Sequence, residues 1–228
     1  MSQKLHKSLR NLREKRNITQ KEIAQKLGMS RPSYISVEKG KKELSLSEAQ
    51  KIANIFGIGL EDLKTGTIPN FDKYKEMILL FLRFSELNSD GKLPKTKLAK
   101  LLYLADFSWF YENMQSMSGM QYRHIKYGPV PDSYFRALDE LEEEGRIERD
   151  NKEEVILISE NESSKKLELK ELAKAEINLI HKIAKKWKNK KTNEIVNFTH
   201  NQLPYKVCLE GEIIPYELII QEDPNHVY

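Results

Sequence analysis

Few residues in this 228-residue chain stand at spacings that do covalent chemistry. Asp106 and His124 are an acid and a base that could form a pair, but no nucleophile with a supporting third residue accompanies them. His200 and Cys208 are metal-ligand types, yet they stand alone, without an HExxH run or a Cys/His cluster at zinc spacing. The expectation is no catalytic residue, no metal and no cofactor. Recognition of a polyanion is the chemistry the residues favour. Residues 1–64 carry 14 Lys+Arg against 7 Asp+Glu, a net of +7, while residues 65–228 carry a net of −3. A basic excess confined to the first quarter suits a nucleic acid there and a different partner elsewhere.

Those basic residues must be positioned by short helices. Leu5, Leu9 and Leu12 give one apolar face. Thr19 followed by Glu22 is a capping box for a helix whose face is Ile23, Ala24 and Leu27, and Gly28 ends it. Ser30 caps the next helix with Pro32 in its first turn; Tyr34 and Val37 share its inner face, and Gly40 stops it. Ser45 or Ser47 opens a fourth helix with Leu46, Ala49, Ile52, Ala53 and Phe56 inward, and Leu60 to Leu63 suggests a fifth. Tyr34 is expected in the core and Glu38 is expected to pair inside the domain.

This pattern, from Thr19-Gln20 through Leu27-Gly28-Met29-Ser30 to Tyr34-Ile-Ser-Val-Glu-Lys-Gly40, resembles the helix-turn-helix domain of the phage-repressor family of bacterial transcription regulators. The resemblance covers about Leu5 to Leu63. It implies DNA binding, with Gln20 holding a phosphate, Lys21 beside it on the DNA face, and Ser30, Arg31, Pro32, Ser33 and Ser36 facing the major groove. Arg31 is the candidate base reader, because a guanidinium pairs bidentately with guanine; Pro32 donates no hydrogen bond but packs on a thymine methyl. Lys39, Lys41 and Lys42 would add phosphate contacts that carry no sequence information. A single such domain makes few base contacts, so a homodimer on a two-fold operator is expected.

Composition frames the rest. With 39% hydrophobic, 9% aromatic and 32% charged residues and one cysteine, the chain reads as globular and free of internal disulfides. Its longest apolar run, Met77 to Leu82, is far below the ~20 residues of a membrane span. With no signal-peptide hydrophobic region at its start, a cytoplasmic protein without membrane contact is expected. Gly and Pro in Lys64-Thr-Gly-Thr-Ile-Pro-Asn70 mark a linker, so the expected domains are 1–66 and 72–228 with 67–71 between them. The second domain should be helical over 72–87 and 94–112, mostly loop from Met114 to Val130, and helical again after Pro131-Asp132-Ser133 to Gly145, with Phe135, Leu138 and Leu141 inward. A small β-hairpin should pair Arg146–Arg149 with Val155–Ile158 around Asp150-Asn151-Lys152. A long amphipathic helix over 167–188, another over 192–199, and an extended tail from Leu203 complete a mainly α fold. The aromatics Tyr103, Phe107, Trp109, Phe110, Tyr111, Tyr122 and Tyr127 are simplest as packing, and the Lys182–Lys191 and 139–144 charge clusters as solvated faces.

The pieces Lys97-Leu-Ala-Lys-Leu-Leu-Tyr-Leu-Ala-Asp106, Gly119 with Tyr122, Tyr127-Gly-Pro-Val130, and Phe198-Thr-His-Asn-Gln-Leu-Pro-Tyr205 resemble the Panacea, or SocA-like, domain over about Phe71 to Ile220. The resemblance implies an antitoxin that neutralises a cognate protein toxin by direct binding, with delivery of the toxin to a AAA+ protease as one route. It brings no catalytic residues, so the matched positions read as scaffold and the toxin-binding residues stay unassigned. Joined to a DNA-binding domain, it implies a type II antitoxin that autoregulates its operon. The alternatives are a transcriptional regulator whose second domain dimerises or senses a ligand, and a protease adaptor.

Overall fold

The computed structural model describes residues 3–15, 18–56, 60, 69–84, 91–152 and 155–228. The chain divides into two compact units, Met1–Pro69 and Asn70–Tyr228. Among the described residues no helix is long and apolar enough to cross a membrane.

Unit 1 holds α1 (Gln3–Lys15), α2 (Gln20–Leu27), α3 (Arg31–Glu38) and α4 (Leu46–Phe56). Thr19 caps α2 through a true capping box: its Oγ1 accepts from the Glu22 amide, and Glu22 accepts from the Thr19 amide. Such a box contributes on the order of 1 kcal/mol. Gly28 then enters the left-handed region at φ 72°, which only glycine adopts without strain. Leu9, Ile23, Ala24, Leu27, Tyr34, Val37, Ala49, Ile52, Ala53 and Phe56 close one core. The fourth helix departs from expectation at its start. Ser45 and Glu48 form the cap, and the residue preceding it, Leu44, is buried while Leu46 is 71% exposed. The cap turns the chain so that the residue before it, and not the first helical one, faces inward. The expected fifth helix and the side chain of Leu5 lie outside the described residues.

Unit 2 is built on α6 (Lys95–Asn113), in which every residue from Lys97 to Ser108 is buried. A helix buried all round lies at the centre of its domain. Packed against it are α5 (Phe71–Arg83), α9 (Lys174–Lys186), α10 (Thr192–Asn201) and a 3-10 helix (Tyr216–Gln221). Asn70 and Phe71, placed in the linker by sequence, belong here: Asn70 caps α5 by accepting from the Lys73 amide, and Phe71 is buried. The 2-residue strands β2 (Tyr122–Arg123) and β3 (Val130–Pro131) pair antiparallel inside the expected loop. In the three-stranded sheet β1 (Leu93–Pro94), β4 (Ile147–Lys152) and β5 (Val155–Glu160), β5 lies in the middle and all pairs are antiparallel.

Helix α7 (Tyr134–Glu143) corrects the expected stripe. Tyr134, Ala137, Leu138 and Leu141 face inward at i, i+3, i+4 and i+7, leaving Phe135 49% exposed. Ser133 does not cap it; its hydroxyl turns to the Met120 sulfur instead. Of the long helix expected over 167–188 only α9 forms; the residues before it, up to Ala173, are irregular, and a separate single turn, α8 (Glu162–Lys165), precedes them. The Glu76 carboxylate on α5 takes the Lys170 and Glu171 amides at 2.8 Å each, which replaces the helical carbonyls they would otherwise use. The tail is helical where it was expected extended: α11 (Leu203–Val207) and two 3-10 helices, Tyr216–Gln221 and Pro224–His226. Gln202 secures it by donating to the carbonyls of His226 and Val227.

Candidate functional site

In unit 1, α2 and α3 are joined by the Gly28 turn, and α3 presents a polar outer face. Ser30 caps α3 by accepting from the Ser33 amide, and Pro32 sits in the first turn, where its missing N–H costs nothing. Ser30, Arg31 and Pro32 are exposed, as are Lys21, Lys39 and Lys41; Gln20, Ser33, Ser36 and Lys42 are partly covered. Arg31 is not free-standing. Its guanidinium reaches the Gln20 side-chain oxygen at 3.5 Å, the Gln20 amide donates to Glu38 at 3.0 Å, and Arg13 donates to the same carboxylate at 2.6 Å. Burial works to raise the Glu38 carboxyl, but the hydrogen bonds from Arg13 and Gln20 outweigh it and hold it below its ordinary value. Glu38 thus pairs inside the domain, and Tyr34 is fully buried in the core. The partner Arg13, on α1, was not singled out by sequence; it lies 25 positions away.

Two outer-face side chains are occupied internally. Lys42 donates to Ser33 and to Glu48, each at 3.1 Å. The Ser36 hydroxyl donates to the Pro32 carbonyl at 3.0 Å, the bond to the preceding turn that a serine inside a helix can make. Lys21, Arg31, Lys39 and Lys41 are exposed cations of this end of the unit.

In unit 2, Asp106 and His124 do not work as a pair. Asp106 is fully buried and accepts from the Ser118 amide and hydroxyl and from the Tyr122 hydroxyl, whereas the His124 Nδ1 meets the Cys208 carbonyl. Burial pushes the Asp106 carboxyl up to about 6 against those hydrogen bonds. It ties the Met117–Tyr122 segment to α6. The aromatics pack as expected around it, with Tyr103, Phe107, Tyr122 and Tyr216 in mutual ring contact; Tyr127 alone of the group stands well out, at 69% exposed. Among the described residues no three His, Cys, Asp or Glu gather as a metal site.

The pieces that carried the second resemblance meet in space. Lys100 on α6 donates to the Pro129 carbonyl at 3.2 Å, His200 on α10 stacks on Tyr205 at 4.4 Å, and the Tyr205 hydroxyl donates to the Ile125 carbonyl. Between them lies Gly128 at φ 97°; a Cβ there would stand 2.7 Å from the Lys100 Nζ and from the His200 Nε2. Lys100 is fully buried, and burial pushes its amine down to about 7. Burial, then the Lys100 charge, lowers His200 as well. Sequence reading passed over Lys100, although its position inside an apolar run on a helix was the available signal.

Comparison with known proteins agrees with this division. Residues 9–63 match the helix-turn-helix family, and residues 98–205 match the family described as antitoxin SocA-like, Panacea domain. An HTH-type transcriptional regulator of Methanocaldococcus jannaschii is 47% identical over 55 residues, 24% of this chain and 83% of the relative. The chain belongs to the helix-turn-helix regulators. A second such regulator, of Archaeoglobus fulgidus, is 44% identical over 55 residues, 24% of this chain and 79% of its own length. The cryptic phage CTXphi transcriptional repressor of Vibrio cholerae is 29% identical over 65 residues, 28% of this chain and 59% of the repressor. No solved structure matches. The chain therefore joins a helix-turn-helix DNA-binding domain to a SocA-like Panacea domain, families of DNA-binding regulators and antitoxins and not of enzymes.

Proposed function

We propose that this protein is a type II antitoxin that represses its own operon. Unit 2 binds and neutralises a cognate protein toxin, and unit 1 binds operator DNA as a homodimer. The observation that carries the reading is the pairing in one chain of an exposed, capped recognition helix with a domain that matches the antitoxin SocA-like, Panacea family. On DNA, Arg31 reads a base, held in aim through Gln20, Glu38 and Arg13, while Ser30, Pro32, Ser33 and Ser36 line the groove. Gln20, Lys21, Lys39, Lys41 and Lys42 meet phosphates, with Lys42 exchanging its Glu48 partner to do so. The domains divide ahead of Asn70, which caps α5, and the protein works in the cytoplasm.

The test is co-expression of the full chain with the product of the adjacent reading frame, scoring growth and copurification, together with binding to the DNA upstream of its own gene. Rescue of growth with a stable complex and saturable binding to that DNA supports the reading. A neighbour that is harmless, or that forms no complex, overturns the antitoxin half and leaves a regulator. If rescue occurs with loss of the toxin itself and depends on a AAA+ protease, neutralisation proceeds by delivery and not by occlusion.

A further inference from the structure

Unit 2 contains a cavity of about 460 Å3 between α6, α7, β5 and the Tyr127–Val130 loop, walled by Ala99, Val130 and Tyr134. Three large apolar side chains at its edge are left uncovered: Tyr127 at 69%, Phe135 at 49% and Val155 at 46% exposed. Lys100 also lines it, and this is the unusual feature. A lysine ammonium has three donors, yet this one, fully buried, makes a single hydrogen bond, to the Pro129 carbonyl, and meets no carboxylate among the described residues. The neighbouring His200 Nε2 is buried with no partner. A buried cation without a counter-charge is costly, and an anion entering the cavity would supply the charge that the fold does not. Two more cations stand at the edge: Lys95 over the Phe135 ring at 5.3 Å and Lys126 over the Tyr127 ring at 6.0 Å, neither in an ion pair among the described residues.

We propose that this cavity is where the protein partner of unit 2 docks, and that the partner inserts a bulky apolar side chain beside a carboxylate that meets Lys100. The inference rests on the toxin-binding reading above and names its surface. Charge complementarity fixes the anion, with cations both at the wall and at the edge. The exposed aromatic rim points to a protein occupant, because a small acid would fill the cavity and leave Tyr127, Phe135 and Val155 in water, whereas aromatic rims of this kind are what protein interfaces cover.

The experiment has two arms, both on the full chain. In the first, N-acetyl-phenylalanine and its C-terminal amide are titrated while the backbone signals of Ala99 and Gly128 are followed by NMR. The carboxylate is expected to bind saturably in the millimolar range and at least tenfold tighter than the amide, and Lys100→Met is expected to remove the preference. Absence of saturable binding, or equal binding of both compounds, overturns the site. In the second arm, Phe135→Asp and Val155→Asp, at exposed positions where folding is little affected, are expected to cut copurification of the co-expressed toxin at least tenfold. Leu167→Asp, an exposed apolar residue away from the cavity, should not. Undiminished copurification with the two cavity variants overturns the docking surface while the antitoxin function stands. Probe binding with no protein complex, even for the unsubstituted chain, overturns the protein occupant and reassigns the cavity to a small acid.

Discussion

Lys100→Met should make unit 2 more stable, by an amount that depends on pH in a specific way. Lys100 is fully buried with one carbonyl partner, and its amine is pushed from 10.5 down to about 7. A drop of that size corresponds to roughly 5 kcal/mol of difference between burying the charged and the neutral form. The sign follows from linkage. Between pH 7 and 10.5 the unfolded chain holds the proton that the folded chain has lost, so stability rises with pH across that window, and the penalty is fully present below pH 7. Methionine keeps the length and apolar volume of the stem and removes the charge. The stability advantage of Lys100→Met should therefore be several kcal/mol at pH 7 and shrink by about 3 kcal/mol or more on going to pH 10. Asp106 and the buried tyrosines are the same in both proteins, so their titration cancels in the comparison. The assay is urea unfolding at each pH followed by tryptophan fluorescence. Both tryptophans, Trp109 and Trp187, lie in unit 2, so unit 1 is silent. Parallel pH profiles for the two proteins would refute the buried, uncompensated amine.

Gly128→Ala meets both a positive φ and a missing gap, with Lys100 and His200 each 2.7 Å from the new methyl; a loss of about 2–4 kcal/mol in the same urea assay is expected. Glu38→Gln leaves Arg13 without its carboxylate in a nearly closed site and should cost unit 1 about 3 kcal/mol, read from helical circular dichroism on heating. The same carboxyl, held below its ordinary value, contributes stability that is present at neutral pH and lost as pH falls through its folded-state value; Glu38→Gln should flatten that acid limb. On DNA, Arg31→Ala should weaken operator binding by about 1–3 kcal/mol and random duplex far less, measured by fluorescence anisotropy, and equal losses on both would remove Arg31 as a base reader. Lys41→Ala should instead weaken both duplexes alike and lower the salt slope by about one.

Local signals decided unit 1 before any tertiary contact was known. The Thr19–Glu22 box, the Gly28 stop and the Ser30 cap each act within four residues, so α2, the turn and α3 were legible, and so was the placement of Tyr34 inward. Leu46 was misread because the turn at Ser45, a matter of one residue, exchanged its burial with that of Leu44. In unit 2 the motifs were visible but their meeting was not. A helix over 167–188 is what periodicity favours, and only Glu76, some 94 positions upstream, reveals why the chain leaves it. Phe135 is more apolar than Tyr134, yet which of the two faces the core depends on where α7 starts, with the Tyr134 hydroxyl anchored on the Lys95 carbonyl.

By itself, then, the amino-acid order determined the two-unit division of labour, a basic helix-turn-helix module and a helical partner with a small sheet, because composition, caps and short motifs are local quantities. Tertiary structure alone decided that Arg13, Glu38, Gln20 and Arg31 form one chain of hydrogen bonds, and that Lys100 and His200 close on Gly128. A lysine is read as a surface residue from its type. What makes Lys100 a buried charge is the packing of elements dozens of residues apart around a central helix, and no spacing along the chain encodes that enclosure.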